Sequence, residues 1–173
     1  MRKITVVPYQ VEWKDLYKEE AEQLRSIYQS EMIDIHHIGS TAVEGLQAKP
    51  IIDLMPVVKD IEKIDPFNEA MKQLGYQAKG ENGIDGRRHF QKGGDQRTHH
   101  VHIFEQSNPE IERHLAFRDY LRAHPAVAQK YGELKAGLAQ QYPYEIASYA
   151  QGKAKLITET LEKALLWQKQ RTK

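Results

Sequence analysis

Three residues in two apolar segments have the types and spacing of a metal site. Asp53 interrupts one β-branched segment, and His100 and His102 flank Val101 in a later one. Alternate side chains of a strand share a face, so both imidazoles project together if Val101 points into the core. Two nitrogens and a carboxylate oxygen suit Zn, Mn, Fe or Ni better than Mg. The alternative is that these are polar side chains of a solvated face or hydrogen-bonded structural histidines.

A turn of small, hydroxyl-bearing residues precedes the Asp53 segment. Gly39 permits a tight turn whose N–H groups face an anion, and Ser40 and Thr41 add hydroxyl donors. Lys49 stands just before the Asp53 strand, where its charge would neutralise a phosphate. We therefore predict a phosphate and metal site, with Ser40 and Asp53 as catalytic candidates. A glycine needed only for backbone curvature and a solvated lysine are the alternatives.

Basic residues elsewhere are further candidates for phosphate recognition. Arg88 lies beside a glycine-rich loop, and its alternation with Phe90 favours it over Arg87 for the cleft. Arginine's planar group suits bidentate binding of phosphate or carboxylate. Later helices would add a basic wall, for which a solvated, salt-bridged helix face is the alternative. The wall would comprise Arg118, Arg122, Lys135 and Lys153.

Several of these residues also carry a family resemblance. The segment His-Ile-Gly-Ser-Thr-Ala-Val at 37–43, with Gly-Leu at 45–46 and Ala-Lys-Pro-Ile-Ile-Asp at 48–53, resembles the GrpB family (UPF0157-type) of the nucleotidyltransferase superfamily. Further matches lie in 117–125 and 149–153, so the resemblance covers almost the whole chain. The family also occurs as an extra domain fused to some dephospho-CoA kinases.

The resemblance implies a nucleotidyltransferase-like fold with divalent cations held against a nucleoside triphosphate. Polymerising members of the superfamily carry two acids two residues apart on this strand and a third acid on a later strand. Here Asp53 is followed by Leu54 and Met55, and the later strand offers histidines. His37 matches the family motif and is expected close to the site as a supporting residue. Its alternative role is a structural hydrogen bond that holds the turn.

Three functions stay open on these residues. The first is binding of a nucleotide or another small phosphorylated ligand with a divalent metal (Mg, Mn, Zn or Ni), with transfer of a nucleotidyl group as its reaction. The second is a non-catalytic nucleotide-binding or anion-binding accessory domain linked to coenzyme A metabolism. The third is a metal-dependent hydrolase that uses one water activated by the His/Asp site.

The elements that position these residues predict one α+β domain over 1–173. We expect a nucleotidyltransferase-like mixed β-sheet flanked by helices, with a helical C-terminal half. Apolar residues recurring every three or four positions predict a first helix over 13–30, and a second from the Asp60 cap to Gly75. Alternating or β-branched segments predict the strands, and the loop 80–86 is expected to be exposed and mobile. The predicted strands are 33–38, 50–58, 88–91 and 99–104.

Composition narrows the class of protein further. The chain of 173 residues has no cysteine, which excludes a disulfide scaffold, a thiolate nucleophile and cysteine-ligated zinc. A net charge of +1 gives no global signal for nucleic acid. No segment reaches the roughly 18–20 apolar residues that a membrane span needs. We therefore expect a soluble, cytoplasmic protein whose partner is a small phosphorylated molecule or nucleotide.

Overall fold

A mixed sheet of five strands, in the order β1-β2-β5-β4-β3, organises the computed structural model, which describes residues 2–172. Strands β2 and β5 are parallel, and every other neighbouring pair is antiparallel. The predicted α+β class, with a mixed β-sheet and a helical C-terminal half, is confirmed. The strands are β1 (Met32–Ile38), β2 (Ile52–Val58), β3 (Tyr76–Ala78), β4 (Arg87–Lys92) and β5 (His99–Glu105).

Five α-helices accompany the sheet within residues 2–172, and the last three run in succession, as predicted for the C-terminal half. They are α1 (Glu12–Tyr28), α2 (Asn68–Gln73), α3 (Glu110–Ala123), α4 (Pro125–Gln141) and α5 (Ile146–Arg171). None of the described helices is both long and apolar enough to cross a membrane. The expected cytoplasmic location stays a prediction.

Contacts group the chain into two units. The sheet unit comprises 12–38 and 51–111, and the helical unit comprises 2–11, 39–50 and 112–172. The prediction of one domain over 1–173 stays a prediction. Each unit has its own core and its own cluster of polar residues.

The two faces of the sheet differ in what covers them within the sheet unit. Leu54 and Val101 are paired in register and are both fully buried, on the face that packs against α1. We call this the helix face, and the opposite side, which carries Asp53, the cluster face. Because strand residues alternate between faces, the register places each polar side chain on one of them.

The segment after β2 departs from the predicted helix. Asp60 does cap a turn, since its carboxylate accepts a hydrogen bond from Glu62 N (3.0 Å). Two 3₁₀ turns follow, at Ile61–Lys63 and Asp65–Phe67, and the α-helix begins only at Asn68. Proline at position 66 has no N–H to continue a helical hydrogen-bond ladder, which explains the late start.

The edges of the sheet are formed by its shortest strand and its least regular one. β3 has three residues, and β1 shifts its register against β2 between Met32 and Asp34. The carboxylate of Asp34 accepts a hydrogen bond from the backbone N of Ile35 (2.8 Å). Both features interrupt the regular ladder at the margins.

The helical unit is held by close packing of its helices. Tyr131 of α4 meets Phe117 of α3 edge to face, with ring centroids 6.0 Å apart. Gly152 of α5 lies against Leu138 of α4 so closely that a Cβ at this position would stand 2.5 Å from Leu138 Cδ2. A larger residue at this position would therefore force the Leu138 side chain to shift. The buried apolar residues around Tyr131 are Val43, Leu46, Leu121 and Ala128.

Candidate functional site

The cluster face of the sheet unit carries one carboxylate and three imidazoles. Asp53 of β2 pairs in register with His100 of β5, and His102 pairs with His89 of β4. Val101 is fully buried on the helix face, so both flanking histidines project to the cluster face as predicted. We call Asp53, His89, His100 and His102 the Asp–His cluster.

The predicted convergence of Asp53, His100 and His102 is confirmed. His102 Nε2 lies 3.0 Å and His100 Nδ1 lies 3.6 Å from the same oxygen, Asp53 Oδ1. One donor atom from each residue lies within 4.8 Å of the other two, and the three side chains are 12–24% exposed. This geometry could hold a metal ion while leaving the site open to solvent on one side.

The contact with Arg87 shows which nitrogen of the His102 ring carries the proton. Arg87 Nη1 lies 3.3 Å from His102 Nδ1, and guanidinium nitrogens only donate. His102 Nδ1 therefore accepts, and the ring proton belongs on Nε2, which donates to Asp53. Arg87 also donates to the backbone oxygens of Glu81 (3.1 Å) and Asn82 (2.8 Å). It thus tethers the exposed loop predicted over 80–86 to the cluster.

Electrostatics inside the cluster favour an ionised Asp53 and a neutral His89. Burial alone would raise the pKa of the Asp53 carboxyl, but hydrogen bonds and charge from His100 and His102 outweigh it and hold that pKa well below its usual range. Burial, with the nearby charges of His102 and Arg87, lowers the pKa of His89 to about 3. At pH 7 the cluster combines a carboxylate with a neutral His89.

Two predicted site residues lie on the other face. Arg88 shares the helix face with buried Phe90, and its Nε donates to Asp65 Oδ1 (2.9 Å). The expectation that Arg88 rather than Arg87 faces the cleft is therefore wrong, because alternation with a core residue places it on the core side. His37 pairs with Leu54, so it too lies on the helix face.

His37 has a packing role in this position. Its ring stacks on that of Tyr17 of α1, with centroids 4.7 Å apart and planes within 5°. Tyr17 Oη donates to the backbone oxygen of Ile35 (3.1 Å), which fixes α1 against the same strand. The expectation that His37 supports the Asp53 site is therefore wrong, because a strand residue next to a cluster-face position points the opposite way.

The predicted turn of glycine, serine and threonine opens the second polar region, in the helical unit. Gly39 has φ +74°, a conformation that side-chain-bearing residues rarely adopt, and Ser40–Ala42 forms a 3₁₀ turn. Ser40 Oγ accepts a hydrogen bond from Lys135 Nζ (2.7 Å), while Thr41 is 1% exposed. Arg122 Nε donates to the backbone oxygen of Ala42 (2.9 Å), which holds the end of the turn.

Three lysines gather around two tyrosines in this unit. Lys135 Nζ lies 4.4 Å from the centre of the Tyr131 ring, and Lys49 and Lys153 lie 5.3 and 4.8 Å from that of Tyr149. Such cation–π contacts hold ammonium groups together despite their repulsion. Together with Ser40, we call these residues the lysine cluster.

Arg118 of the predicted basic wall has a local partner. Its Nε and Nη2 both lie 2.9 Å from Asp119 Oδ1, which offsets its charge. Burial, then the charge of Arg118, lowers the pKa of Arg122. Of the residues proposed for this wall, Lys135 has the direct contact with Ser40 and Lys153 lies over Tyr149.

Sequence reasoning missed His89 and underrated Arg87 and Lys135. His89 and Arg87 both alternate with Phe90 on β4, and this pattern predicts that they share the face opposite to Phe90. The strand alone does not show which of its two faces α1 covers. Lys135 and Ser40 are 95 residues apart in the chain. No local pattern indicates a contact of that separation.

Comparison with known proteins places this arrangement in a family. The family model described as GrpB protein matches residues 3–163. The chain belongs to the GrpB family. YqkA of Bacillus subtilis, a UPF0157 protein, is 52% identical over 98% of this chain, and the chain spans half the length of that GrpB relative. The glutamate-rich protein GrpB of Alkalihalophilus pseudofirmus is 36% identical over 91% of this chain and 94% of its own length.

Solved structures agree on the fold. The crystal structure of GrpB from Enterococcus faecalis matches with a TM-score of 0.91 and 45% identity, over 93% of this chain and 97% of that one. A Cid1 poly(U) polymerase bound to MgATP matches with a TM-score of 0.51 and 12% identity, over 81% of this chain and 43% of the Cid1 chain. At that identity the likeness shows a nucleotidyltransferase-like fold alone.

The expected link to dephospho-CoA kinase is a weak, partial match. The kinase of Mycobacterium tuberculosis is 23% identical over 94% of this chain, which corresponds to 46% of the kinase. This chain thus resembles about half of a longer enzyme at low identity.

Proposed function

We propose that this GrpB protein binds a nucleotide or another small phosphorylated ligand together with a divalent cation, and that nucleotidyl transfer is its reaction. The convergence of Asp53, His100 and His102 on one face of a nucleotidyltransferase-like sheet carries the proposal. A cation between a carboxylate and imidazoles would neutralise phosphate charge as it develops in a transition state. Asp53 is the anionic ligand of that cation.

Within the helical unit, the lysine cluster is the candidate for phosphate binding. Lys135 is 2% exposed and donates to Ser40, so its ammonium group is fixed rather than freely solvated. Lys49 and Lys153 place two further positive charges over Tyr149. A cluster of lysines held on aromatic rings in this way suits a group with several negative charges, such as a phosphate chain. We propose Ser40, with Gly39 and Thr41 in the same turn, as part of this anion site.

Calorimetric titration of the purified chain tests the proposal. ATP, GTP, CTP, UTP and dephospho-coenzyme A are each titrated with Mg²⁺, Mn²⁺ or Zn²⁺ present and with the metals chelated. We expect metal-dependent binding of at least one ligand, lost on Asp53→Asn and kept on Asp95→Asn, which changes an exposed carboxylate of the same unit. Absence of binding for every ligand and metal contradicts the proposal.

Lysine substitutions separate the anion site from the metal site. Lys135→Gln should weaken ligand binding at least tenfold with metal affinity unchanged, because it removes a positive charge from the proposed anion site. Lys130→Gln, on the exposed side of the same helix, is the matched control. Radiolabelled triphosphates with candidate acceptors then test whether pyrophosphate is released. Binding without release supports the accessory-domain alternative.

A further inference from the structure

The cluster face holds one more imidazole than the predicted metal set. His89 lies beside that set, with its ring centroid 5.0 Å from that of His102 and 5.6 Å from that of His100. The His89 residue is 6% exposed, so water does not reach it freely. Its place across the strand pair from His102 follows from the register of β4 and β5.

Two ring nitrogens in this group are buried without a hydrogen-bond partner. They are Nε2 of His89 and Nε2 of His100. Leaving a buried polar atom unsatisfied costs about 1–3 kcal/mol, so such atoms are uncommon and call for a cause. Two of them on adjacent strands, beside a carboxylate, point to a ligand that accepts lone pairs.

The Nδ1 atoms of these two rings lie near polar groups. His100 Nδ1 lies 3.6 Å from Asp53 Oδ1, and His89 Nδ1 lies 3.1 Å from Asn82 Nδ2. A protonated Nδ1 on His89 would donate to the Asn82 amide oxygen after a simple amide flip. An outer partner of this type would orient the His89 ring and leave its Nε2 for the metal.

We propose that His89 is an additional ligand of the cation at the Asp–His cluster and that this cation is a transition metal of the zinc type. Metal binding would release the Nε2 proton that His102 donates to Asp53, as metal binding does for protonated ligands. Three imidazoles and one carboxylate then form a donor set for Zn²⁺, Co²⁺, Ni²⁺ or Fe²⁺, whereas Mg²⁺ prefers an octahedral shell of oxygens. The set of acids that polymerising nucleotidyltransferases use for magnesium does not fit here, since the Asp–His cluster contains one carboxylate, that of Asp53. This inference rests on the metal site of the proposed function and identifies the metal's class.

Cobalt binding to the full chain tests the inference by absorption spectroscopy. Co²⁺ is expected to give visible bands of a four- or five-coordinate site, and Zn²⁺ to displace it, while Mg²⁺ at a hundredfold excess does not. His89→Gln should weaken Co²⁺ affinity at least tenfold. His99→Gln, which changes a histidine on the opposite face of the sheet, should leave it within twofold. Equal affinity of His89→Gln and wild type would overturn the assignment, as would Mg²⁺ displacing the metal.

Cysteine substitution gives a positive signal that does not depend on a loss of binding. The chain has no cysteine, so a thiolate-to-cobalt charge-transfer band in the near ultraviolet reports only the introduced sulfur. We expect this band for His89→Cys and none for His99→Cys. Cobalt bound without the band in folded His89→Cys protein contradicts the proposal.

The outcomes distinguish this inference from the proposed function. Ligand binding that needs Asp53 and Mg²⁺ but not His89 would leave the proposed function standing and remove this inference. Zinc or cobalt bound through His89, with none of the phosphorylated ligands bound, would support this inference and contradict the proposed function.

Discussion

The two faces of the sheet each carry a carboxylate surrounded by basic side chains, but they use these groups differently. On the helix face, Glu20 Oε2 accepts hydrogen bonds from Tyr76 Oη (2.6 Å) and Lys92 Nζ (2.8 Å), with His99 Nε2 at 3.9 Å. On the cluster face, Asp53 meets two histidines while Nε2 of His89 and of His100 stay unsatisfied.

The two networks differ in whether their polar side-chain atoms have hydrogen-bond partners. Burial alone would raise the pKa of Glu20, but hydrogen bonds from Lys92 and Tyr76 outweigh it and lower that pKa. The Glu20 network joins α1 to strands β3, β4 and β5 and contributes to stability. The Asp–His cluster also places histidines around a carboxylate, but Nε2 of His89 and Nε2 of His100 have no hydrogen-bond partner. Residue type alone therefore does not distinguish a structural network from a candidate site.

Breaking the helix-face network should have the largest effect on stability. Glu20→Ala removes the acceptor of both Tyr76 and Lys92, and we expect a loss of about 2–4 kcal/mol in the free energy of unfolding, since Lys92 is partly exposed. Urea denaturation measures this loss. Glu19→Ala, an exposed change on the same helix, should cost less than about 0.5 kcal/mol. Metal affinity should stay unchanged in Glu20→Ala, and a large change would mean that the two faces are not independent.

Acidic pH should lower the stability of the folded chain through His89, and substitution of that one residue isolates its contribution. The pKa of His89 is about 3 in the folded chain and near 6.5 when unfolded, so between these values only the unfolded state takes up the proton. Stability is therefore lost as the pH falls below 6.5, by about 1.3 kcal/mol from pH 5.5 to 4.5 for this one group.

Urea melts of metal-free protein at these two pH values test that sign. Burial also lowers the pKa of His99 against the opposing charge of Glu20, so His99 contributes with the same sign. The loss between pH 5.5 and 4.5 should shrink by about 1 kcal/mol in His89→Gln. An unchanged pH dependence in that variant would show that His89 is protonated as readily in the folded chain as in the unfolded one.

The smallest effect on stability should come from substitution of Arg88, the arginine that the sequence analysis favoured for the cleft. Arg88 pairs with Asp65, whose side chain is 50% exposed, and such pairs contribute about 0–1 kcal/mol. Arg88→Gln should therefore change stability by less than about 1 kcal/mol and leave cobalt affinity as it is. Arg87→Gln should instead alter cobalt affinity, because its guanidinium contacts His102. Reversed results would mean that Arg88 acts at the cluster after all.

Sequence alone predicted the part of the site that depends on one strand at a time. The flanking of Val101 by two histidines predicted that they share a face, and the position of Asp53 predicted a neighbouring carboxylate. Errors arose where the answer depended on packing between elements. Placing His37 and Arg88 correctly requires knowing which side of the sheet α1 covers.

Other features lay beyond any local pattern. Strand β3 is only three residues long and follows a short helix, so it has too few residues to show alternation. The 3₁₀ turns before α2 replaced a predicted helical segment, because the apolar spacing continues across a proline that helix geometry does not accept. The contact between Lys135 and Ser40 depends on how the chain folds back over a long separation.

The irregular margins of the sheet have a consequence for aggregation. A long, flat edge strand offers unpaired backbone groups to strands of other molecules, and natural proteins blunt such edges. Here β3 ends after three residues, and β1 combines its register shift with the charge of Asp34. The β3 margin therefore gives a strand from another copy little to extend, and at the β1 margin the regular ladder is limited to 34–38, so both edges oppose the edge-to-edge pairing that leads to fibres.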